Sequence, residues 1–300
     1  MSEYNKYINN FANEAEYETY TYSPIAETPN TALIDDTGEI KIAKYLPKDY
    51  VMIGTTSGTK GFKIGQSYSE NSSADCINIH VVVKDKSGIN KMYVSPVDVL
   101  KIPKYFYSSN NGFYNTEGNK IISINKWKID TSQVTNIIGM FEGCSNLSTL
   151  DLSSFNTSNV TDMSSMFWGC GNLTTLDLSS FNTSKVTNIG HMFSNCSSLT
   201  TLDLSNFNTR KVTNMNYMFD ACSKINKLYL SSGFFNSTSL NTYDFSPLSN
   251  WKDTESLAMF VEAITAHNGT GKTVKLSSGT KNALTTGQKT AITNAGWTIA

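Results

Sequence analysis

The 300 residues carry 24 Lys and Arg against 25 Asp and Glu, a net charge of −1. Only 16% of residues are charged and 39% are apolar; ordinary soluble chains are about one-quarter charged, and here Ser, Thr and Asn make a neutral surface rich in hydroxyls and amides. No clustered Lys and Arg supply the field that nucleic-acid binding requires, and no run of 18 or more apolar residues could cross a bilayer, so neither nucleic acid nor membrane insertion is expected.

The chain opens MSEYNKYINNFANEAEYETY, which has neither the basic region nor the apolar stretch of a secretory signal; synthesis and folding in a cytoplasm are expected. Tyr4, Ile8, Phe11 and Ala15 mark a helical stripe ending near Tyr20, and Pro24 and Pro29 make an extended passage. Residues 1–43 are therefore read as a helical or extended leader for attachment or oligomerisation. Residues 44–120 are read as a small β domain, with strands at 50–53, 77–83 and 91–94 and a hairpin turn at 84–88. The glycine-containing run 54–61 lacks the G-x-x-x-x-G-K-[ST] order of a phosphate loop and is read as a turn.

From residue 121 a period of 26 takes over. Leu150, Leu176, Leu202 and Leu228 form one column, and Val134, Val160, Val186 and Val212 another. Met140, Met166, Met192 and Met218 are each followed by Phe141, Phe167, Phe193 and Phe219; then come Cys144, Cys170, Cys196 and Cys222, and Leu147, Leu173, Leu199 and Ile225. The first copy departs at its strand, where Ile124 and Lys126 replace the Leu-x-Leu pair. Each copy reads as a short strand, an F-N-T-S turn, a V-T-N-M segment, and an M-F-x-x-C-x-x-L segment whose spacing suits a short helix, as at Met166, Phe167, Cys170 and Leu173. One such unit cannot bury both faces alone; stacked copies share a core and form a parallel sheet on one side.

After four copies at 121–232, residues 233–300 read as irregular repeats and a C-terminal cap. Strands are expected at 241–245, 273–276 and 297–300, one helix over 254–266 with Asp253 or Thr254 as N-cap, and a second over 285–294 stopped by Gly296. The expected fold is an α/β leucine-rich-repeat solenoid with a parallel sheet, preceded by a small mainly-β domain and an N-terminal helical/extended leader.

The stretch LDLSSFNTSNVTDMSSMFWGCGNLTTLDLSSFNTSKVTNIGHMF resembles the BspA-type leucine-rich repeat, the DUF285 or lipoprotein-repeat class of bacterial surface proteins, over roughly residues 121–232. That resemblance implies an adhesin or surface-exposed protein. The leader from Glu16 to Ile40 and the ending ITNAGWTIA are similar to termini of phage structural proteins from gut Bacteroidetes, which implies a virion setting.

Asp151, Asp177 and Asp203 occupy the outward position between the two strand leucines, and Tyr229 continues their column. Like charges on strands about 4.8 Å apart repel by roughly 1 kcal/mol in water and several times that near a protein surface. Local hydrogen bonds, a ligand or a cation would offset the repulsion, so these four residues are the candidate ligand-binding column. An aromatic ring beside carboxylates suits a sugar. The cysteine column is read as buried thiols, with cross-linked pairs as the alternative, because its even spacing is not that of a metal motif. His80, His191 and His267 lie in unlike contexts without a catalytic order, and the N-T-S and N-V-T triplets at Asn156 and Asn159 are read as turn residues rather than glycan acceptors.

No catalytic residue, metal ligand or cofactor is expected. The sequence points to a non-enzymatic structural or adhesive protein: a virion appendage or decoration protein, or alternatively a bacterial cell-surface adhesin. Its expected partners are itself, as a homo-oligomer such as a trimer, other virion or surface proteins, and a host surface glycan or protein.

Overall fold

The computed structural model describes residues 131–300 throughout and, before them, Ile124 and the backbone of seven strands. Those strands are β1 (Thr19–Thr21), β2 (Val51–Thr56), β3 (Phe62–Ile64), β4 (Ile77–Lys84), β5 (Asn90–Val94), β6 (Tyr105–Phe106) and β7 (Ile121–Ile124). β4 and β5 form the antiparallel hairpin expected from their alternating pattern, and β2 lies beside β5. The helical stripe at Tyr4–Ala15 lies outside the described residues; near its expected end, Thr19–Thr21 is a strand paired with β4.

β7 joins the front strands to the repeats. It is antiparallel to β2 and parallel to β9 (Thr149–Leu150), so one sheet runs β1-β4-β5-β2-β7-β9, with β3 beside β4, while β8 (Asn136–Ile137) pairs in parallel with β6 apart from it. The sheet is continuous across residues 120 and 121. Further on, β10 (Thr201–Leu204) pairs in parallel with β11 (Lys227–Leu230), each residue facing its counterpart 26 positions later. The parallel sheet is interrupted between β9 and β10: residues 175–178, the strand position of the third copy, form no strand, so the expected parallel sheet is not continuous there.

The expected short helix in each copy is also corrected. Residues 137–147 and their counterparts are chains of turns in which alternate N–H groups take different partners. Met140, Glu142 and Cys144 donate back to Ile137, Gly139 and Phe141 within the copy. Ile137, Gly139, Phe141 and Gly143 donate across to Asp162, Ser164, Met166 and Trp168 at 3.1, 2.9, 2.8 and 2.7 Å. The same pattern recurs one copy on, where Met163, Ser165, Phe167 and Gly169 bond to Asn188, Gly190, Met192 and Ser194. A helix would satisfy these donors internally. Left-handed φ values prevent it: +58° at Gly139, +55° at Ser165, +57° at His191 and +57° at Tyr217, with a second such column at Gly143, Gly169, Asn195 and Ala221.

Inside these rungs the columns predicted to be apolar are buried. The valine, methionine, phenylalanine, cysteine and leucine columns join one continuous core that extends to Trp297. Phe141, Phe167, Phe193, Phe219 and Phe245 stack with centroids 5.7, 5.8, 6.2 and 5.5 Å apart. Burying each ring is worth about 1.5–3 kcal/mol.

Phe245 belongs to β12 (Thr242–Phe245), so the tail prolongs the stack. β12, β13 (Thr273–Leu276) and β14 (Thr298–Ile299) form a parallel sheet. Between them lie α1 (Thr254–Thr265), capped by Asp253 accepting from Ser256 N–H, and α3 (Thr286–Asn294), opened by a capping box of Thr285 and Gln288. Gly296 takes φ +89° after α3. A short helix α2 (Ser278–Ala283) and a 3-10 turn (Ser232–Phe235) had no counterpart in the sequence reading; both fall on stretches rich in Ser, Gly and Thr with no helical apolar stripe.

Candidate functional site

The outward face of the strands is built on a recurrent Asp-x-Ser unit. Asp151, Asp177 and Asp203 each turn Oδ1 back to accept the backbone N–H of Ser153, Ser179 and Ser205 at 2.9, 2.9 and 2.8 Å. These contacts supply the local hydrogen bonding that a column of like charges needs. The Ser179 backbone N–H, assisted by its hydroxyl, holds the Asp177 carboxyl below the usual carboxylate range.

The four predicted site residues do not form one cluster. Asp151 and Asp177 share a groove of about 290 Å³, completed by Ile124, Thr149, Leu150 and Thr175. It lies at the interruption in the sheet. Asp203 lies instead on β10, in register with Tyr229 on β11.

Sequence reasoning missed a further Asp-x-Ser unit in the tail, on the separate sheet of β12–β14. Asp244 on β12 bonds to the backbone and hydroxyl of Ser246 at 2.9 and 2.6 Å, and its Oδ2 lies 3.7 Å from Lys275 Nζ on β13. The Asp-x-Ser spacing at 244–246 was the available signal.

Two polar ladders were also missed. Thr131, Thr157 and Thr183 are buried, and each hydroxyl both donates to the C=O and accepts from the N–H of a single asparagine in the next copy: Asn156, Asn182 and Asn208. On the turn side, Asn136, Asp162, Asn188 and Asn214 each accept from the backbone N–H two residues on. Asn156 makes the same local turn with Ser158, while Asn159 Nδ2 donates to Ser132 O at 2.7 Å, so both triplet asparagines serve the backbone.

The four column thiols are not poised as nucleophiles. Cys170, Cys196 and Cys222 point Sγ at the carbonyls of Phe141, Phe167 and Phe193, at 3.1, 3.0 and 2.9 Å. Burial raises the pKa of all four column thiols, that of Cys222 to about 12, so the reactive thiolate is not formed near neutral pH. His80 lies on β4, His191 stacks on Tyr217, and the His267 ring nitrogen Nε2 meets Ser232 O. Among the described residues, no group of three His, Cys, Asp or Glu side chains is placed to hold a metal ion. No helix of the described residues is long and apolar enough to cross a membrane.

Copies stacked in this way share one core of apolar columns beneath a polar exterior. Residues 107–234 match the family described as "Mycoplasma protein of unknown function, DUF285". The DUF285 segment takes in all four 26-residue copies and reaches back past β7, covering less than half of the chain. No curated protein and no solved structure matches the chain.

Proposed function

We propose that this chain is a non-enzymatic structural or adhesive protein in which a leucine-rich-repeat solenoid of the BspA type displays a binding surface. The observation that carries this reading is how each copy divides its residues. The inward columns repeat with little change, as in Met140, Met166, Met192 and Met218. One turn position holds Gly139, Ser165, His191 and Tyr217 in one backbone conformation, with the last two exposed. A rigid frame with exchangeable outward side chains suits recognition. Catalysis, cofactors and metals have no part in this reading.

The setting we favour is a phage virion, as an appendage or decoration protein that self-associates through residues 1–120 and meets a host glycan or protein with the repeats. The similarity of both termini to phage structural proteins supports it. The alternative is a bacterial cell-surface adhesin, which the match of residues 107–234 to a family described from a cellular organism favours.

Density-gradient fractionation of the producing culture, followed with an antibody to the full chain, separates the two. Co-sedimentation with particles, together with a trimer or larger mass by light scattering, is expected for the virion protein. Recovery with the cell envelope and no particle-bound fraction would overturn that setting in favour of the adhesin.

A further inference from the structure

Two large apolar side chains stand exposed among the described residues, Tyr217 at 63% and Met259 at 36%. Tyr217 does not stand alone. His191, one copy earlier at the same repeat position, lies flat against it, with ring centroids 5.0 Å apart and planes at 22°. His191 covers one face of the tyrosine ring, and the large remaining exposure leaves the other open. Backbone bonds fix the two positions: His191 N–H donates across to Asn216 O of the next copy at 2.9 Å, and Asp220 N–H donates back to Tyr217 O within its own copy at 3.1 Å.

Both rings sit on left-handed backbone, φ +57° in each case. For an L-residue that conformation costs roughly 1–2 kcal/mol. The conformation belongs to the rung and not to the side chain, because Gly139 and Ser165 adopt it at the same position in the first two copies. Glycine meets the demand without strain in the first copy. Tyrosine and histidine accept the strain and, being exposed, recover little through burial. The left-handed backbone is common to the rung and recurs at Asn195 and Ala221, so what sets His191 and Tyr217 apart is that two exposed rings stack there.

We propose that the His191–Tyr217 stack is a platform for a hexopyranose ring of an oligosaccharide. A pyranose presents a flat face of C–H bonds and a rim of hydroxyls. The open tyrosine face takes the first, since an aromatic ring buries apolar area in a fixed orientation. Asn216, Asn195 and Asp220, all exposed around the stack, supply amide and carboxylate partners for the second. A neutral, amide-rich surface suits an uncharged sugar better than a polyanion. The platform lies on the turn side of the rungs, away from the aspartate column of the strands. It rests on the display reading for its biological purpose.

The test is titration calorimetry of the full chain with hexamers of β-1,4-linked N-acetylglucosamine, β-1,4-linked glucose and α-1,4-linked glucose. Binding of at least one hexamer is expected. Tyr217→Gly and His191→Gly should weaken it tenfold or more, Tyr217→Phe should keep most of it, and Thr290→Ala, an exposed position on α3, should leave it unchanged. The thermal midpoint of Tyr217→Gly should equal or exceed that of the parent. Absence of heat with all three hexamers, or binding that survives Tyr217→Gly, would overturn the platform. So would a lowered midpoint in Tyr217→Gly, which would give the ring a structural role. Fractionation with particles or envelope is independent of each of these results, so failure here leaves the display reading standing.

Discussion

A threonine hydroxyl buried between two copies satisfies an N–H and a C=O of the same residue, and the rungs depend on it. Thr183 does this for Asn208 at 3.1 and 2.7 Å while itself only 2% exposed. Thr183→Val keeps the shape and leaves both backbone groups of Asn208 without that partner, a loss of about 1 kcal/mol. Urea unfolding should show a lower midpoint at unchanged slope; an unchanged midpoint would mean that water replaces the hydroxyl. The thiols make a second prediction. Burial raises Cys222 from the ordinary value of 9.0 to about 12. A raised folded-state value means that stability is complete below pH 9 and is lost as the pH climbs from 9 towards 12, where the unfolded thiol ionises and the folded one does not. At pH 10 that loss is about 1.4 kcal/mol for one thiol. Cys222→Ala lacks this term, so its destabilisation relative to the parent should shrink between pH 7 and pH 10. A constant gap would place the thiol in contact with solvent.

At the scale of the element, the turn chains explain both what the sequence revealed and what it concealed. Apolar residues at 166, 167, 170 and 173 are buried whether the segment coils as a helix or folds as successive turns, so periodicity found the core and mistook its backbone. The distinguishing feature was φ, which glycine advertises and other residues do not. Gly139, Gly143 and Gly169 hinted at it, whereas Asn195 and Ala221 adopt +61° and +55° unannounced. Ala221→Gly should therefore raise stability by a few tenths of a kcal/mol up to about 1, relief of strain exceeding the added freedom of the unfolded chain. Gly169→Ala should lower it by about 1 kcal/mol, although the new Cβ would meet nothing closer than 3.6 Å. Differential scanning calorimetry of the pair checks the sign; a stabilising Gly169→Ala would contradict the left-handed turn. The tail was easier to read: strands near 242–245 and 273–276 and the Asp253 and Thr285 caps carry their signals locally. The candidate column was legible as outward aspartates. The groove joining Asp151 to Asp177 was not, because it depends on where the sheet opens, and the His191–Tyr217 pair looked like two unrelated residues at a variable position.

For the whole molecule, the consequence is that the repeats form a chain of nearest-neighbour contacts. Each copy offers the next one the same carbonyls, the same phenylalanine face and the same threonine hydroxyl, so the copies are exchangeable in a way that parts of an ordinary core are not. Removing residues 171–196, one full period, joins Cys170 to Ser197 and brings the Phe167 and Phe219 columns into the positions that Phe167 and Phe193 now occupy. The shortened chain should fold. It loses one interface, and its thermal midpoint should fall by only a few degrees, at about 2–4 °C per kcal/mol for a protein of this size. Removing residues 171–183, half a period, deletes less chain but sets turn carbonyls against strand and aromatic columns against polar ones. That variant should lose its cooperative transition and its near-ultraviolet circular dichroism. If the two deletions proved equally harmful, contacts beyond neighbouring copies would be holding the array together. The continuous sheet through β2, β7 and β9 is where such contacts would enter, because it ties the first rung to strands before the array begins.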